Sequence, residues 1–224
     1  MPVYMPRKTE PELMDDPNEA NAYAQADFSQ ENEAFVERLL ELVCTDESIA
    51  VLDLGTGPGH IPLELLRLRP RWRITAVEMS EPMLDLAREA EKQQGLEGCI
   101  GWAEVDATET PFKPRFFHVI FSNSLLHHIH APDALWTEVK RLAGPGGHLF
   151  FRDLARPLNE SAARQLVQQY AGDESELLKD AFYRSLLAGF NCDEVRAQLD
   201  QAGLSNLHVS MVTDRHLDVW GRMP

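Results

Sequence analysis

Two groups of residues in this chain have types and spacing that could do chemistry. The first is Asp53-Leu54-Gly55-Thr56-Gly57-Pro58-Gly59, preceded by the apolar run Ile49 to Leu52 and followed by the amphipathic stretch Ile61 to Leu68. A strand, a tight turn and a helix start, in that order, leave unpaired N–H groups where a carboxylate or phosphate is favoured. Alternate glycines let the turn take positive φ and let a ligand approach backbone where a side chain would collide. The next strand, Trp72 to Val77, ends in Glu78. That is about 20 residues past the last glycine, where nucleotide-binding α/β folds place the carboxylate that holds a ribose. Together these signals point to a nucleoside ligand. The second group is His127-His128-x-His130, just past the run Phe117 to Ser122. Imidazoles there could accept a proton near neutral pH.

The glycine spacing narrows the nucleoside. Dinucleotide sites use G-x-G-x-x-G, whereas this chain has Gly55-x-Gly57-x-Gly59 with Pro58 between the last two. No lysine occurs from Asp53 to Arg73, which excludes a phosphate-cradling G-x-x-x-x-G-K-[ST] loop. Asp53 would repel a pyrophosphate and suits a ligand that carries a positive amine.

The segment resembles motif I of the class I S-adenosylmethionine-dependent methyltransferases, an acidic residue followed by G-x-G-x-G after the first strand. The resemblance implies a cofactor with an amino-acid end and an adenosine end, S-adenosyl-L-methionine, with S-adenosyl-L-homocysteine as its product. By matching position it sets Asp53, Gly55 and Gly57 along the methionine portion, with Thr56 between the glycines also in contact. Glu78 would accept from both ribose hydroxyls and Met79 would lie against the adenine. Asp106 would bond the adenine amino group, with Ala107 beside it. Ser122 and Asn123 open the loop facing the reactive methyl, and His127 or His128 is the candidate catalytic base. The implied fold is α/β: a Rossmann-like, doubly wound, mostly parallel seven-stranded sheet with an antiparallel last strand. Motif-level resemblance covers residues 49–153 and resumes weakly over 191–212.

Each assignment has a plainer rival. One histidine could pack on the Leu125-Leu126 turn while the other is solvated. A metal reading of His127-His128-x-His130 is disfavoured, because adjacent histidines do not readily share one ion and no carboxylate stands at ligand spacing in the sequence. No metal is expected. Arg152-Asp153 could be an ion pair or a substrate contact. Tyr23, Asp27, Phe28, Tyr170, Phe182 and Tyr183 could line a pocket, although aromatics at helical spacing more often belong to a core. Tyr23 is the best of these for cofactor contact, since Asn21, Gln25 and Asp27 leave its hydroxyl somewhere wet to point.

The elements that must position these residues alternate strand and helix from Ile49 to Arg152, which argues for a parallel sheet covered on both faces. Every motif residue then falls at a strand's carboxyl end, where such sheets bind ligands. The organisation expected is one domain over 1–224. A helical N-terminal cap (1–45), with Ser29 capping its second helix, precedes the cofactor-binding core (49–153). A helical insertion or lid (154–190) and a C-terminal helix with a β-hairpin (191–224) follow. The acidic, proline-bearing segment 1–20 reads equally as a flexible tail or an ordered lid.

Composition bounds the partners. With 36 acidic against 21 basic residues and a formal charge of −15, the chain lacks the basic footprint that a nucleic-acid modifier needs. The densest basic run, Arg67-x-Arg69-x-Arg71-x-Arg73, falls where a helix meets a strand and reads as a solvated rim. No apolar run approaches a membrane span, no export signal opens the chain, and three cysteines without C-x-x-C spacing suit a reducing compartment. The reading is a cytoplasmic methyltransferase, monomer or homodimer, acting on a small-molecule substrate, with no nucleic acid or membrane partner. The alternatives are an RNA or protein methyltransferase, or a catalytically silent adenosylmethionine-binding regulator. Calorimetric titration should show adenosylmethionine binding in the micromolar range and no binding of NAD. Tighter binding of NAD would overturn the assignment of the glycine turn.

Overall fold

The computed structural model describes residues 4–10 and 17–224. Its seven strands are β1 (Ala50–Leu54), β2 (Arg73–Glu78), β3 (Ile100–Glu104), β4 (Phe117–Asn123), β5 (Ala143–Leu154), β6 (His208–Met211) and β7 (His216–Arg222). They form one sheet in the order β3-β2-β1-β4-β5-β7-β6. The first five run parallel, and β7 is antiparallel to both β5 and β6. The chain therefore works outward from β1 to β3, then restarts on the other side of β1 at β4. That reversal opens a crevice between the carboxyl ends of β1 and β4.

All of β1 is buried, as expected of a central parallel strand covered on both faces. On one face, Ile61, Leu63, Leu65 and Leu66 of α3 (His60–Leu68) pack with Phe35, Val36 and Leu39 of α2 (Ser29–Leu42). On the other, Leu135, Trp136, Val139 and Leu142 of α5 (Pro132–Leu142) meet Val195 and Leu199 of α8 (Cys192–Gln201). α4 (Glu81–Gln93) starts where Ser80 Oγ accepts from the Met83 amide, with Pro82 in its first turn. α8 begins in a reciprocal capping box between Asn191 and Glu194.

Three further helices stand over the carboxyl ends of the strands. α1 (Pro17–Gln25) leans on α4 and on α7 (Glu176–Ala188), and α6 (Glu160–Ala171) pairs with α7. Residues 4–10 are tied down beside them: the Met5 amide donates to Leu158 O and the Lys8 amide to Leu187 O. Of the acidic segment 1–20, residues 1–3 and 11–16 lie outside the described residues. No helix among the described residues is long and apolar enough to cross a membrane.

One local expectation is corrected. Ser29 is the first residue of α2 rather than its cap; Phe28 precedes the helix, and Asp27 Oδ1 accepts from the Ser29 amide at 3.0 Å. The fifth strand begins at Ala143, ahead of the glycine-rich stretch Gly144–Gly147. Its glycines stay in the sheet because Phe117 pairs with Ala143 while Val119 pairs with His148, so the register slips across Gly144–Gly147. Amides of Gly146 and Met223 also exchange bonds with Met223 O and Gly147 O.

Gly59 shows why the turn cannot take an ordinary residue. Its φ is +79°, and an added Cβ would stand 2.7 Å from Trp102 Cη2 and 2.9 Å from Ala87 Cβ. Gly59→Ala should cost about 2–4 kcal/mol, from left-handed strain together with overpacking. Urea denaturation checks this, and an unchanged midpoint would mean that Trp102 and α4 can give way.

Candidate functional site

The crevice between β1 and β4 holds two adjoining cavities that share Gly55, Glu78 and Leu125. The smaller, about 220 Å³, is lined by Met79, Asp106, Ala107 and Thr108 together with apolar Val77, Val105 and Ile129. The larger, about 440 Å³, reaches from Asp53, Thr56, Gly57 and Asn123 to His127 and His128, under Tyr23 and Phe28 and beside Tyr170 and Phe182. A smaller slot joined to a larger chamber suits a ligand with a planar base at one end and a charged tail at the other.

The glycine turn is shaped by its neighbours. Gly55 has φ +71°, and a Cβ there would meet Leu125 Cδ1 at 2.9 Å, so the loop after β4 packs directly on the turn. Gly57 has φ +56° with open space where its Cβ would be, and its amide donates to Glu78 Oε2 at 3.0 Å. Glu78 Oε1 accepts from the Met79 amide at 2.9 Å and the Ser80 amide at 3.0 Å. A carboxylate has about four acceptor sites. Backbone amides engage three of them, and one on Oε2 remains. Asp106 Oδ1 accepts from the Thr108 amide and hydroxyl, each at 2.7 Å.

Asp53 is buried, and its carboxyl is pushed up to about 8: burial raises it, the Thr56 hydroxyl partly offsets this, and Glu78 adds to the rise. Thr56 Oγ1 itself is buried without a well-aligned hydrogen bond. Tyr23 is half-buried against Phe28, with ring centroids 4.9 Å apart. Burial and the charges of Glu78 and Asp153 push its phenol up to about 12, so it stands at the chamber as a protonated donor, drier than its polar neighbours suggested.

Ser122, expected on the loop that faces the methyl, faces neither cavity. Its hydroxyl donates to Leu54 O at 2.7 Å, deep between β4 and β1. Side chains alternate along a strand, so Ser122 points away from the crevice that Asn123 borders. Tyr183 also misses the chamber, because it packs with Leu186 and Leu187 while Arg164 lies 4.8 Å over its ring.

Arg152 and Asp153 do not pair with each other, since neighbours on a strand face opposite sides. Arg152 makes a bidentate pair with Asp218 on β7, at 2.7 and 2.8 Å. Asp153 accepts from His127 Nδ1 at 2.6 Å, from the Leu126 amide at 2.6 Å and from the Leu154 amide at 2.8 Å. His127 is buried, which alone would lower its pKa; the Asp153 charge and hydrogen bond, with Glu10, outweigh burial and hold the imidazole above its ordinary value.

Glu10 is the site residue that the sequence did not flag. Its Oε1 lies 3.5 Å from both His127 Nε2 and His128 Nδ1. This corrects the premise that no carboxylate stands at ligand spacing from the histidines. No local pattern could reveal it, because the two segments meet only in the fold. Arg7 places it there, donating to the carbonyls of Ala188 at 2.6 Å, His127 at 2.7 Å and Ile129 at 3.1 Å.

Comparison with known proteins agrees with this geometry. Residues 52–151 match the family described as "Methyltransferase domain". Methyltransferase GfsG of Streptomyces halstedii is 26% identical over 201 residues, covering 89% of this chain and 66% of that protein. The ubiquinone/menaquinone biosynthesis C-methyltransferase UbiE of Desulfotalea psychrophila is 33% identical over 107 residues, 48% of this chain and 42% of that protein. A solved SAM dependent methyltransferase from Aquifex aeolicus shares the fold with a TM-score of 0.67 at 20% identity, covering 93% of this chain and 99% of that one. The chain spans less than half the length of several curated relatives that it matches. Residues 52–151 match a methyltransferase domain, and the sheet with its helices has the fold of the solved SAM dependent methyltransferase from Aquifex aeolicus.

Proposed function

We propose that this chain transfers the methyl group of adenosylmethionine to a small molecule held in the larger cavity. The observation that carries this reading is the continuity of the two cavities at Gly55 and Glu78. Adenosine fits the slot at Asp106 and Met79, and the methionine end lies along Gly55–Gly57. The sulfonium then faces the part of the chamber bounded by Tyr23, His127 and His128. At about 440 Å³, roofed by α1 and α7, the chamber has room for the methionine end and a small acceptor. The relative named for ubiquinone/menaquinone biosynthesis favours a small acceptor without naming one for this chain.

Methyl transfer from a sulfonium is an in-line displacement with a good leaving group, so the enclosing helices contribute mainly alignment and exclusion of water. If the acceptor arrives protonated, the side chains around His127 and His128 are those placed to deal with the proton. The test is to incubate the protein with methyl-labelled adenosylmethionine and a metabolite extract. One labelled small molecule should accumulate together with adenosylhomocysteine. Label entering only protein or RNA would overturn the reading, and saturable cofactor binding with no label transferred to anything would favour a silent regulator.

Glu78→Ala should weaken cofactor binding by about 1.5–3 kcal/mol through loss of a charge-assisted ribose bond and of the acceptor that fixes the Gly57 amide. It should also cost about 1–2 kcal/mol of stability, since three backbone amides lose their partner. Calorimetry and denaturation read the two effects separately, and a wild-type affinity would remove Glu78 from the site.

Asp53 sets a pH dependence. Its carboxyl, at about 8, is protonated in the free protein at pH 7. A bound ammonium favours the ionised form and lowers that pKa, so binding releases a proton. Affinity should rise with pH up to about 8, and calorimetric heats should differ between buffers of different ionisation enthalpy. Asp53→Asn should abolish both effects; if it leaves them intact, the proton comes from elsewhere.

A further inference from the structure

One buried atom near the chamber has no role in the reading above. Glu10 Oε1 is buried and makes no hydrogen bond of acceptable geometry, although the Glu10 side chain is only 8% exposed. Leaving such an oxygen unsatisfied is unfavourable, and more so for a charged group. It lies 3.5 Å from His127 Nε2 and 3.5 Å from His128 Nδ1, and the three atoms are all within 4.8 Å of one another.

The spacing is long for a direct ion pair, because a charge-assisted N–H···O bond prefers about 2.7–2.9 Å. It is close to that of metal ligands: bonds of about 2.0–2.1 Å in a tetrahedral site set the ligand atoms about 3.3 Å apart. His127 already has the support that a ligating histidine needs. Its Nδ1 bonds Asp153 at 2.6 Å, which directs the Nε2 lone pair at Glu10, and such carboxylate–histidine pairing orients ligands and raises their basicity. Glu10 is held in place as well, for His130 Nε2 donates to its carbonyl at 2.8 Å and Arg7 ties the same segment to the His127 and Ile129 carbonyls.

We propose that Glu10, His127 and His128 bind a divalent first-row transition ion of the zinc type, with a coordination position open to the chamber, and that the methyl acceptor is an alcohol or phenol. Two imidazoles and one carboxylate suit zinc and its neighbours, whereas magnesium prefers oxygen ligands and retains its water. Three protein ligands with a vacant fourth position are the arrangement of catalytic zinc sites.

The binding site stands on its own geometry, and its use in catalysis rests on the methyl-transfer reading. The cation holds the acceptor's hydroxyl oxygen and stabilises its conjugate base, and the proton leaves to solvent. A lone pair of that oxygen forms the new C–O bond as the methyl C–S bond breaks. The sulfur keeps the bonding pair, so the sulfonium becomes the neutral thioether of adenosylhomocysteine.

The test uses the full chain, stripped with a chelator and titrated with Co²⁺ under visible absorption, with Zn²⁺ competition to follow. One equivalent of Co²⁺ should give the d–d bands of a four- or five-coordinate site, and Zn²⁺ should abolish them. Glu10→Gln and His128→Ala, which leave the Asp153 contacts intact, should each weaken Co²⁺ binding at least tenfold. Absence of saturable binding, or binding unaffected by both substitutions, would overturn the proposal. Adenosylmethionine titration of the same samples keeps the two readings apart. Metal binding without cofactor binding would sink the methyltransferase function and leave the site standing; cofactor binding without metal binding would do the reverse.

Discussion

At the carboxyl end of β5, the Asp153 carboxylate accepts from the Leu126 amide, the His127 ring and the Leu154 amide while almost wholly buried. Buried carboxylates are tolerated only where donors replace water, and here the donors belong to the loop that follows β4. That loop turns at Ser124, whose φ of +60° is unusual for a residue with a side chain, and carries Leu125 onto Gly55. Asp153 ties the turn to the sheet through the Leu126 amide and the His127 ring, while Arg7 holds the His127 and Ile129 carbonyls from the segment 4–10. Loss of Asp153 would take from the His127 ring the acceptor that orients it.

The cofactor side depends on a comparable device. Glu78 gathers the Gly57, Met79 and Ser80 amides, so the carboxylate proposed to meet the ribose also fixes the turn proposed to meet the methionine end. The two halves of the cofactor site are therefore coupled through one side chain at a strand end. Such a site is pre-organised by backbone bonds formed during folding rather than by ligand binding. Polar groups of the chamber are matched in pairs: Arg152 with Asp218, and Arg215 with Glu31 and Asp214. Arg215 also lies 3.3 Å over the Tyr170 ring. These pairs brace the walls formed by α2, α6 and β7 around the space left for an acceptor.

The basic run at Arg67 to Arg73 reads as a rim in the structure too. Arg67 pairs with Glu64 and Arg69 with Asp46, all near the surface and far from the crevice. Exposed pairs of this kind contribute little to stability. They do offset the charge of Arg67 and Arg69, two of the four arginines in that run. Cys44 and Cys99 are exposed and unlinked, and Cys192 is half-buried at the start of α8.

The sequence by itself determined the sheet, the glycine turn and the acidic strand ends. Each is written in local periodicity or in spacings of a few residues within a βα unit, and backbone geometry leaves such patterns few alternatives. It also marked His127 and His128 as the chemistry-bearing residues of the loop after β4. What it could not determine were the partners of those residues. Whether Ser122 faced the crevice depended on strand phase, which put it against Leu54. Whether Asp153 met Arg152 or a histidine depended on which side of β5 each faced. Whether a carboxylate stood beside the two imidazoles depended on Arg7 and the segment 4–10, which reach them across the whole cofactor-binding core. Contacts between segments so distant in the chain arise from packing and from the need to satisfy buried polar groups, and only the tertiary structure brings those groups together.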